Sequence, residues 1–273
     1  FDPHEPWDPP AGYARLYEPD YGGGLPGCSA PSRTDGLSER QLREIRAAYA
    51  GEVTLVDRWV GHLLDALRET GHADDTLVVF TSDHGCMLGE QGQIHKGTNR
   101  LRNQVTRVPL LVRHPAGQAA GERVPGFCQH QDIMPTVLSL LGEPIPDRVL
   151  GRNIWPGAPG CGAAPDYVVS AFCFHACIRT DRWNYIRPWI EPSADEVARW
   201  QLYGITDSQE ELYDLKADPR ELNNVAAEHQ DVAQELSRGL EDHIKRLAPL
   251  TGGTIQGVAR LGEHMTFDGL PGD

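Results

Sequence analysis

Apolar residues recur at three- and four-residue steps between Leu37 and about Thr70, and this spacing predicts the longest helix of the chain. Ser38 is followed three residues later by Gln41, a pair that predicts a capping box at the start of this helix. Gly71 predicts its end. We expect the apolar stripe to cover one face of a sheet. The stripe consists of Leu42, Ile45, Tyr49, Val53, Val56, Val60, Leu63 and Leu67.

A different pattern follows this helix. Residues 77–81 form a short, uniformly apolar run, which is typical of a strand covered on both faces in a parallel sheet. A second strand is predicted over 108–113, with Pro109 at its start. A helix capped by Asp132 is predicted over 133–141. Alternation of strands and helices indicates an α/β fold class.

Polar residues stand where the first strand ends. In open α/β sheets, ligands bind at the carboxyl ends of the strands, so Asp83 and His84 are candidate ligands of one cation. Lys96 lies beyond a glycine-bearing loop that is long enough for this residue to fold back over the same site. The alternative for these residues is that Asp83 caps a turn and His84 is exposed to solvent.

In the second half of the chain, apolar residues recur at the shorter intervals that are typical of strands. Residues 143–165 are rich in Pro and Gly and predict a boundary. Beyond it we expect an antiparallel sheet, and then a helix from Asp218 to about Leu247. Residues 248–273 have little periodicity and predict a flexible tail. The predicted strands cover 167–172, 176–179, 183–187 and 211–215.

Charge and composition narrow the range of partners. The 273 residues carry a formal net charge of −14, which argues against nucleic acid or an anionic membrane surface as a partner. No apolar run approaches the ~18 residues of a membrane-spanning helix. Because the net charge is negative, an anionic substrate would need a local metal ion or lysine in order to bind.

The six cysteines are scattered and show no paired zinc-ligand spacing. Cys173, His175 and Cys177 invite a metal interpretation, but their spacing is equally that of alternate positions along a strand. We expect buried thiols there, since free cysteine is often part of a core.

Three segments carry a resemblance to a known family. The S-D-H-G segment at 82–85, with Lys96 thirteen residues after Asp83, resembles the second metal-binding motif of the sulfatase family in the alkaline phosphatase superfamily. The P-H-E-P segment at 3–6 resembles that family's P-H-x-P element. The segment E-L-Y-D-L-x-x-D-P-x-E-x-N-N from Glu211 resembles its C-terminal signature. The similarity is closest to the iduronate-2-sulfatase and choline-sulfatase branch.

The resemblance implies a fold and a domain organisation. It implies an α/β fold that forms part of an alkaline-phosphatase-like sandwich, with a mainly parallel sheet between helices. Residues 1–150 would be the C-terminal part of the catalytic domain. Residues 151–247 would form a small antiparallel α+β subdomain, and 248–273 the tail. Because the family's P-H-x-P element lies well inside the chain, we expect this sequence to be the C-terminal portion of a longer protein, without the half that carries the nucleophile.

The resemblance also assigns roles to residues. Asp83 and His84 would bind Ca²⁺, with Mg²⁺ or another divalent cation as the alternative, because a histidine nitrogen is a softer ligand than Ca²⁺ prefers. His4 and Lys96 would contact the sulfate group, one of them acting as general acid for the leaving oxygen. His95 is adjacent and could substitute, although we expect it to be exposed.

Cys28 needs separate treatment, because sulfatases mature the cysteine of a C-x-P-S-R motif into formylglycine. Here two residues separate Cys28 from Pro31, and the segment follows the P-H-x-P element instead of preceding it. We therefore interpret Cys28 as a loop thiol and not as a nucleophile.

The predicted function is hydrolysis of sulfuric esters with a divalent metal, acting on a small-molecule or saccharide sulfate ester. The alternatives are a phosphodiesterase or phosphonate monoester hydrolase of the same superfamily, and a non-catalytic fragment. As an incomplete chain, the polypeptide is expected to have no appreciable turnover by itself and to be marginally stable. The pattern leaves the compartment and the oligomeric state open.

Overall fold

The computed structural model describes residues 2–23, 32–97, 100–158, 161–172, 174–189 and 209–247, and these form two compact units. The first unit takes its described residues from Phe1–Arg100 and Gln104–Glu122. The second takes them from Leu101–Asn103, Arg123–Ser193 and Asp207–Asp273. The domain boundary predicted near residue 150 stays a prediction, because compact units that are defined by packing within this chain do not by themselves identify domains. The predicted tail lies outside the described residues.

The first unit combines one long helix with short strands. In chain order its elements are α1 (Ala11–Ala14), β1 (Ser32–Arg33), α2 (Glu39–Glu69), β2 (Val78–Thr81), β3 (Met87–Leu88), β4 (Gln93–His95) and β5 (Leu110–Arg113). Helix α3 (Asn103–Thr106) belongs to this unit from its second residue onward. The second unit contains α4 (Ile133–Leu140), β6 (Tyr167–Phe172), β7 (His175–Thr180), β8 (Trp183–Pro188), β9 (Glu211–Asp214) and α5 (Gln230–Leu247).

Helix α2 begins as the sequence predicts. The Ser38 hydroxyl accepts the Gln41 N–H at 3.3 Å, and the Gln41 side-chain oxygen accepts the Ser38 N–H at 2.9 Å. This reciprocal pair satisfies two of the N–H groups that the start of a helix leaves without partners. After the last turn the chain passes through Gly71, whose φ of +79° favours glycine. The predicted helix over 37–70 is confirmed. No helix in the described part of the chain is both long and apolar enough to cross a membrane.

Only the first half of the α2 stripe is covered. Ile45 and Ala48 are buried in a core with Trp7 and Ile94, whereas Leu63 in the second half is 67% exposed. The expectation that the whole stripe covers a sheet is therefore wrong, because α1 and β3 pack on α2 near its first half.

The strands of the first unit pair antiparallel. Strand β2 pairs with β5, and β4 lies between β1 and β3. The mainly parallel sheet is wrong for these strands, since every strand ladder among the described residues is antiparallel. The expected cover on both faces of the apolar run is also wrong. In the two-stranded β2–β5 ladder the residues of β2 are half-buried or exposed.

One face of the β2–β5 ladder is apolar and open to solvent. Phe80 and Leu111 lie directly opposite each other, and they are 41% and 58% exposed. Cross-strand apolar pairs stabilise a ladder, and an exposed pair of this kind also provides a surface on which other apolar groups can pack.

The second unit is organised around a four-stranded antiparallel sheet in the order β6–β7–β8–β9. All four predicted strands are present, with bounds that differ by one residue or none. Helix α5 packs on this sheet. The buried apolar residues of this core are Ala176, Ile178, Tyr185, Leu212, Ala233, Leu240 and Ile244.

Helix α5 begins at Gln230, twelve residues after the predicted start at Asp218. The Asp218 carboxylate accepts the N–H groups of Leu222 and Asn223 at 2.6 and 2.7 Å, and the Asn224 side-chain oxygen accepts the Leu212 N–H at 3.0 Å. Side chains that bond the backbone in this way hold it in turns and compete with a helix.

Asp132 does not cap α4 through its side chain. Its carboxylate accepts the N–H groups of Gln129 and Arg152, both at 2.9 Å. The Asp132 side chain therefore ties two loops of the second unit together.

A buried carboxylate joins several elements of the second unit. Glu221 is fully buried; its oxygens accept the Asn184 amide at 2.7 Å and the Asn103 N–H at 2.8 Å. It also pairs with Arg179 at 3.2 Å. A buried charge needs such partners, because it has lost its hydration.

A second buried carboxylate, Glu52 of α2, has fewer partners. One oxygen accepts the Asp8 N–H at 3.1 Å, and the other has no hydrogen-bond partner among the described residues. Burial and then the nearby Asp2 charge raise the pKa of Glu52. A carboxyl group with a raised pKa holds its proton more tightly in the folded state, so its ionisation as the pH rises lowers stability.

Replacing Glu52 by glutamine is therefore expected to raise the free energy of unfolding at neutral pH, with a smaller gain near about pH 4, where the carboxyl group is largely protonated. Chemical denaturation at both pH values measures this difference. Glu39→Gln in the exposed first turn of α2 is the control and should lower stability slightly, because it removes a charge that favours the helix dipole. An equal effect of Glu52→Gln at both pH values would contradict the assignment.

Candidate functional site

His4 lies in a short turn at the start of the described chain. The indole N–H of Trp7 donates to the Pro3 carbonyl at 3.1 Å and ties this turn to the core of the first unit. His4 Nδ1 is 2.7 Å from the Glu5 carbonyl oxygen. Since a carbonyl oxygen only accepts, Nδ1 carries the proton, and in a neutral ring Nε2 is the acceptor.

Lys96 lies directly after β4 and meets His4. Its Nζ is 2.9 Å from His4 Nε2 and 3.3 Å from Glu5 Oε1. Its backbone carbonyl accepts a hydrogen bond from Arg100 at 3.3 Å. His4 and Lys96 are 92 positions apart in sequence, so the fold brings together two predicted site residues. The hydrogen bond between them requires a lone pair on one nitrogen, so the pair shares a single proton at this contact.

Glu5 is the acidic member of this group. Burial by itself would raise its pKa, but the nearby His95 imidazole, a backbone hydrogen bond and the charge of Lys96 together lower it to about 2. The Glu5 side chain is only 14% exposed. It is therefore an ionised, largely buried carboxylate at neutral pH.

The imidazole of His95 lies next to the Glu5 carboxylate. Its side chain is fully buried, so the expectation that it is exposed is wrong. The imidazole stacks on the Trp7 indole with ring centroids 4.3 Å apart, and its Nδ1 is 3.7 Å from Glu5 Oε2. Its φ is +67°, a conformation that is uncommon outside glycine. Trp7 also meets Tyr49 of α2 edge-on at 5.3 Å.

Asp83 and His84 follow β2, as the sequence predicts. Asp83 Oδ1 accepts the His84 N–H at 2.7 Å, and its other oxygen is 3.6 Å from His84 Nε2. The slight burial of Asp83 acts to raise its pKa, but the His84 N–H and the charges of His84 and Lys96 outweigh it and lower the pKa. The side chain is 83% exposed and open to a ligand.

The four predicted site residues thus form two contacting pairs. His4 contacts Lys96, Asp83 contacts His84, and the electrostatic effect of Lys96 on Asp83 connects the pairs within the first unit. All four residues belong to the same compact unit.

Gly85 allows the segment with Asp83 and His84 to lie against α3. Its N–H donates to the Val105 carbonyl at 2.8 Å. A Cβ added to Gly85 would lie 2.1 Å from the Gln104 carbonyl oxygen. Only glycine fits this approach, so it fixes where Asp83 and His84 leave the strand.

The described residues do not complete a site for Ca²⁺ by themselves. This ion takes about six to eight oxygen ligands, and no group of three or more His, Cys, Asp or Glu that could hold a metal occurs in the described ranges. Asp83 and His84 can contribute two ligands, of which one is a nitrogen. A cation held by this pair would therefore need further ligands.

Cys86, which follows Gly85 in sequence, is not suited to be a nucleophile. Cys86 lies against Tyr49, and burial raises its pKa to about 11. Because the thiolate is the reactive form, Cys86 is a poor nucleophile at neutral pH. Cys28 and Cys173 lie outside the described residues. Cys177, which lies in β7, is buried.

Two residues of the site do not follow from sequence reasoning. Glu5 is absent from the predicted set, and His95 is predicted to be exposed. Glu5 could have been recognised from its position next to His4, between Pro3 and Pro6. A partly buried lysine needs a carboxylate nearby, and Glu5 is adjacent to the residue that Lys96 is predicted to join. His95 carries no comparable signal, because its burial depends on the stacking of Trp7.

Comparison with known proteins points to one family. A family model described as Sulfatase matches residues 2–143. The N-acetylglucosamine-6-O-sulfatase of Bacteroides thetaiotaomicron is 30% identical over an alignment of 213 positions, which covers 72% of this chain and 35% of that relative. The chain spans 35–41% of the length of the first curated relatives that it matches.

Solved structures agree. A phosphonate monoester hydrolase of Agrobacterium radiobacter has a TM-score of 0.62 and 29% identity, covering 76% of this chain and 42% of that one. A protein solved in complex with its substrate D-glucosamine-2-N,6-O-disulfate has a TM-score of 0.61 and 27% identity, covering 76% of this chain and 41% of that one. The specific iduronate-2-sulfatase and choline-sulfatase branch stays a prediction.

Proposed function

Since the chain belongs to the sulfatase family, we propose that it supplies the sulfate-contacting part of an active site that hydrolyses sulfate esters. The observation that carries this proposal is the contact of Lys96 with His4 at 2.9 Å across 92 positions of sequence. A cationic N–H donor beside an imidazole suits an ester that carries a negative charge and must lose an alkoxide.

The two residues have distinct roles in this proposal. The Lys96 ammonium donates to a sulfate oxygen through a charge-assisted hydrogen bond. His4 Nδ1 donates to the Glu5 carbonyl, so only Nε2 can gain or lose the proton that the pair shares. In the net reaction, the oxygen of a water molecule bonds to sulfur, the bond between sulfur and the ester oxygen breaks, and that proton passes from the pair to the leaving oxygen. The proposal assigns no nucleophile among the described residues.

Asp83 and His84 are proposed as two ligands of a divalent cation, Ca²⁺ or Mg²⁺. Electrostatics supports this. With neutral imidazoles, the single charge of Lys96 faces the two carboxylates Glu5 and Asp83. A site with this charge balance would repel an anionic ester, and a bound cation would reverse the balance and polarise a sulfate oxygen.

We propose a sulfated saccharide as the substrate. The support is that one relative is named for N-acetylglucosamine-6-O-sulfatase activity and that one structural neighbour binds a glucosamine disulfate. A phosphonate monoester is the second candidate, because a phosphonate monoester hydrolase matches the fold at 29% identity. Sulfate and phosphonate esters present similar oxygens to the same donors.

Binding of glucosamine 6-sulfate to the 273-residue chain in the presence of Ca²⁺ tests the proposal. Lys96→Met is expected to weaken binding about 10-fold or more, since a hydrogen bond to a charged group is lost. Lys216→Met, which removes the same charge from an exposed position of the second unit, should leave the affinity unchanged. Isothermal titration calorimetry measures both. Equal affinities of the two variants would contradict the proposed site.

The same titration separates the two candidate substrates. Tighter binding of a phenylphosphonate monoester than of the sulfated sugar, with the same dependence on Lys96, would favour the phosphonate hydrolase.

A further inference from the structure

The Glu5 carboxylate occupies a specific place between two basic side chains. Its oxygens are 3.3 and 3.4 Å from Lys96 Nζ, and one of them is 3.7 Å from His95 Nδ1. We propose that Glu5 is a positioning residue, which holds the Lys96 ammonium against His4 and thereby aims its remaining N–H at the ester. This inference rests on the proposed function, because it deepens the role given there to Lys96.

The geometry at Lys96 Nζ limits how the ammonium group can rotate. An ammonium group has three N–H donors. One faces His4 Nε2 at 2.9 Å and a second faces the Glu5 carboxylate at 3.3 Å. With two directions fixed, the third is fixed as well. The imidazole alone would leave the group free to rotate about a single hydrogen bond.

Glu5 is itself held in place by a buried neighbour. Its carboxylate is 14% exposed and is backed by His95, which is fully buried and stacked on Trp7. The left-handed φ of +67° at His95 turns the chain at the end of β4, directly before Lys96. Lys96 is therefore held at its backbone by β4 and at its ammonium by Glu5.

The charge of Glu5 also affects how strongly Lys96 attracts an anion. A carboxylate at 3.3 Å offsets much of the lysine charge. Removing it would strengthen the attraction for an anion and at the same time release the lysine. These effects oppose each other, so affinity alone does not report on the positioning role. The order of the lysine side chain does.

The sequence makes this order directly measurable, because the chain contains three lysines, Lys96, Lys216 and Lys245. A ¹³C-lysine-labelled chain therefore gives three Cε signals, and Lys96→Arg assigns the one at the site. Lys245 is 58% exposed and serves as the mobile reference. We expect the Cε order parameter of Lys96 to exceed about 0.6, the upper bound of flexible groups, and that of Lys245 to lie below it.

In Glu5→Gln the Lys96 order parameter is expected to fall to the level of Lys245. The matched control is Glu18→Gln, since Glu18 is 18% exposed and pairs with Arg43 at 3.1 Å in the same unit. It should leave Lys96 unchanged. An ordered Lys96 in Glu5→Gln, a mobile Lys96 in the unsubstituted chain, or equal losses in the two variants would each overturn the proposal.

Folding is followed on the same samples. Because the lowered pKa of Glu5 means that its charge stabilises the fold, Glu5→Gln is expected to lower the melting temperature in either case. A purely structural role predicts that Lys96 stays ordered well below the melting transition, whereas a positioning role predicts a mobile Lys96 there. If Glu5→Gln does not fold, Glu5→Asp decides, because it keeps the charge but withdraws it by one methylene. Intermediate order of Lys96 in that variant supports the proposal, and order equal to that of the unsubstituted chain overturns it.

The outcome is separable from that of the proposed function. Addition of inorganic sulfate should shift the Lys96 Cε signal if Lys96 contacts the ester. Absence of this shift would contradict the proposed function, while the dependence of Lys96 order on Glu5 is measured without any ligand.

Discussion

Replacing Glu221 by glutamine is expected to lower the free energy of unfolding of the second unit by about 3–5 kcal/mol, the cost of leaving a buried charge without its partner. Glu221 is fully buried and pairs with Arg179 at 3.2 Å. The substitution keeps the shape of the side chain but leaves the guanidinium without a counter-charge. Urea denaturation followed by circular dichroism measures the loss.

Glu241→Gln is the matched control in the same unit. Its carboxylate also pairs with an arginine, Arg187, at 2.9 Å, but it is 43% exposed. Exposed pairs contribute about 0–1 kcal/mol. Similar losses in the two variants would mean that burial does not make the Glu221 pair special.

Gly85→Ala is expected to destabilise the first unit by about 3 kcal/mol, at the upper end of the range for overpacking. The added Cβ would lie 2.1 Å from the Gln104 carbonyl oxygen, which belongs to backbone and cannot rotate away. The loop must move to relieve this contact, and Asp83 and His84 move with it. Thermal unfolding measures the loss, and the backbone amide signals of these two residues measure the displacement.

Gly61→Ala in α2 provides the opposite expectation from the same chemical change. A Cβ at Gly61 would meet nothing within 4 Å. Alanine in the interior of a helix is expected to raise stability by about 0.5–1 kcal/mol relative to glycine. Destabilisation by Gly61→Ala, or tolerance of Gly85→Ala, would contradict this account of the two positions.

Local signals predicted the local elements well. The capping pair of Ser38 and Gln41 and the glycine after Thr70 define α2 through contacts within a few residues. The strands of the second unit follow from alternation and turns. The partners of β2 could not be obtained in this way, because an apolar run indicates burial but not the direction of the neighbouring strand. Its antiparallel pairing with β5 is set by tertiary structure.

The candidate site shows the same difference between what local patterns predict and what tertiary packing decides. Asp83 follows β2 as the strand pattern predicts, and the resemblance to the sulfatase family named His4 and Lys96. The contact between these two, and the carboxylate of Glu5 beside them, depends on how the turn at 3–6 packs on β4. Sequence patterns describe neighbours along the chain, whereas this packing joins residues that are 92 positions apart.

The packing of Trp7 has a consequence for how the site opens. Its indole donates to the Pro3 carbonyl, stacks on His95 and meets Tyr49 edge-on. One ring thus joins the turn that carries His4, the strand that leads to Lys96, and the long helix. Neither the turn nor the strand can detach without breaking contacts of this ring. We therefore expect them to open as one cooperative unit, whose backbone amides exchange with solvent at a common rate.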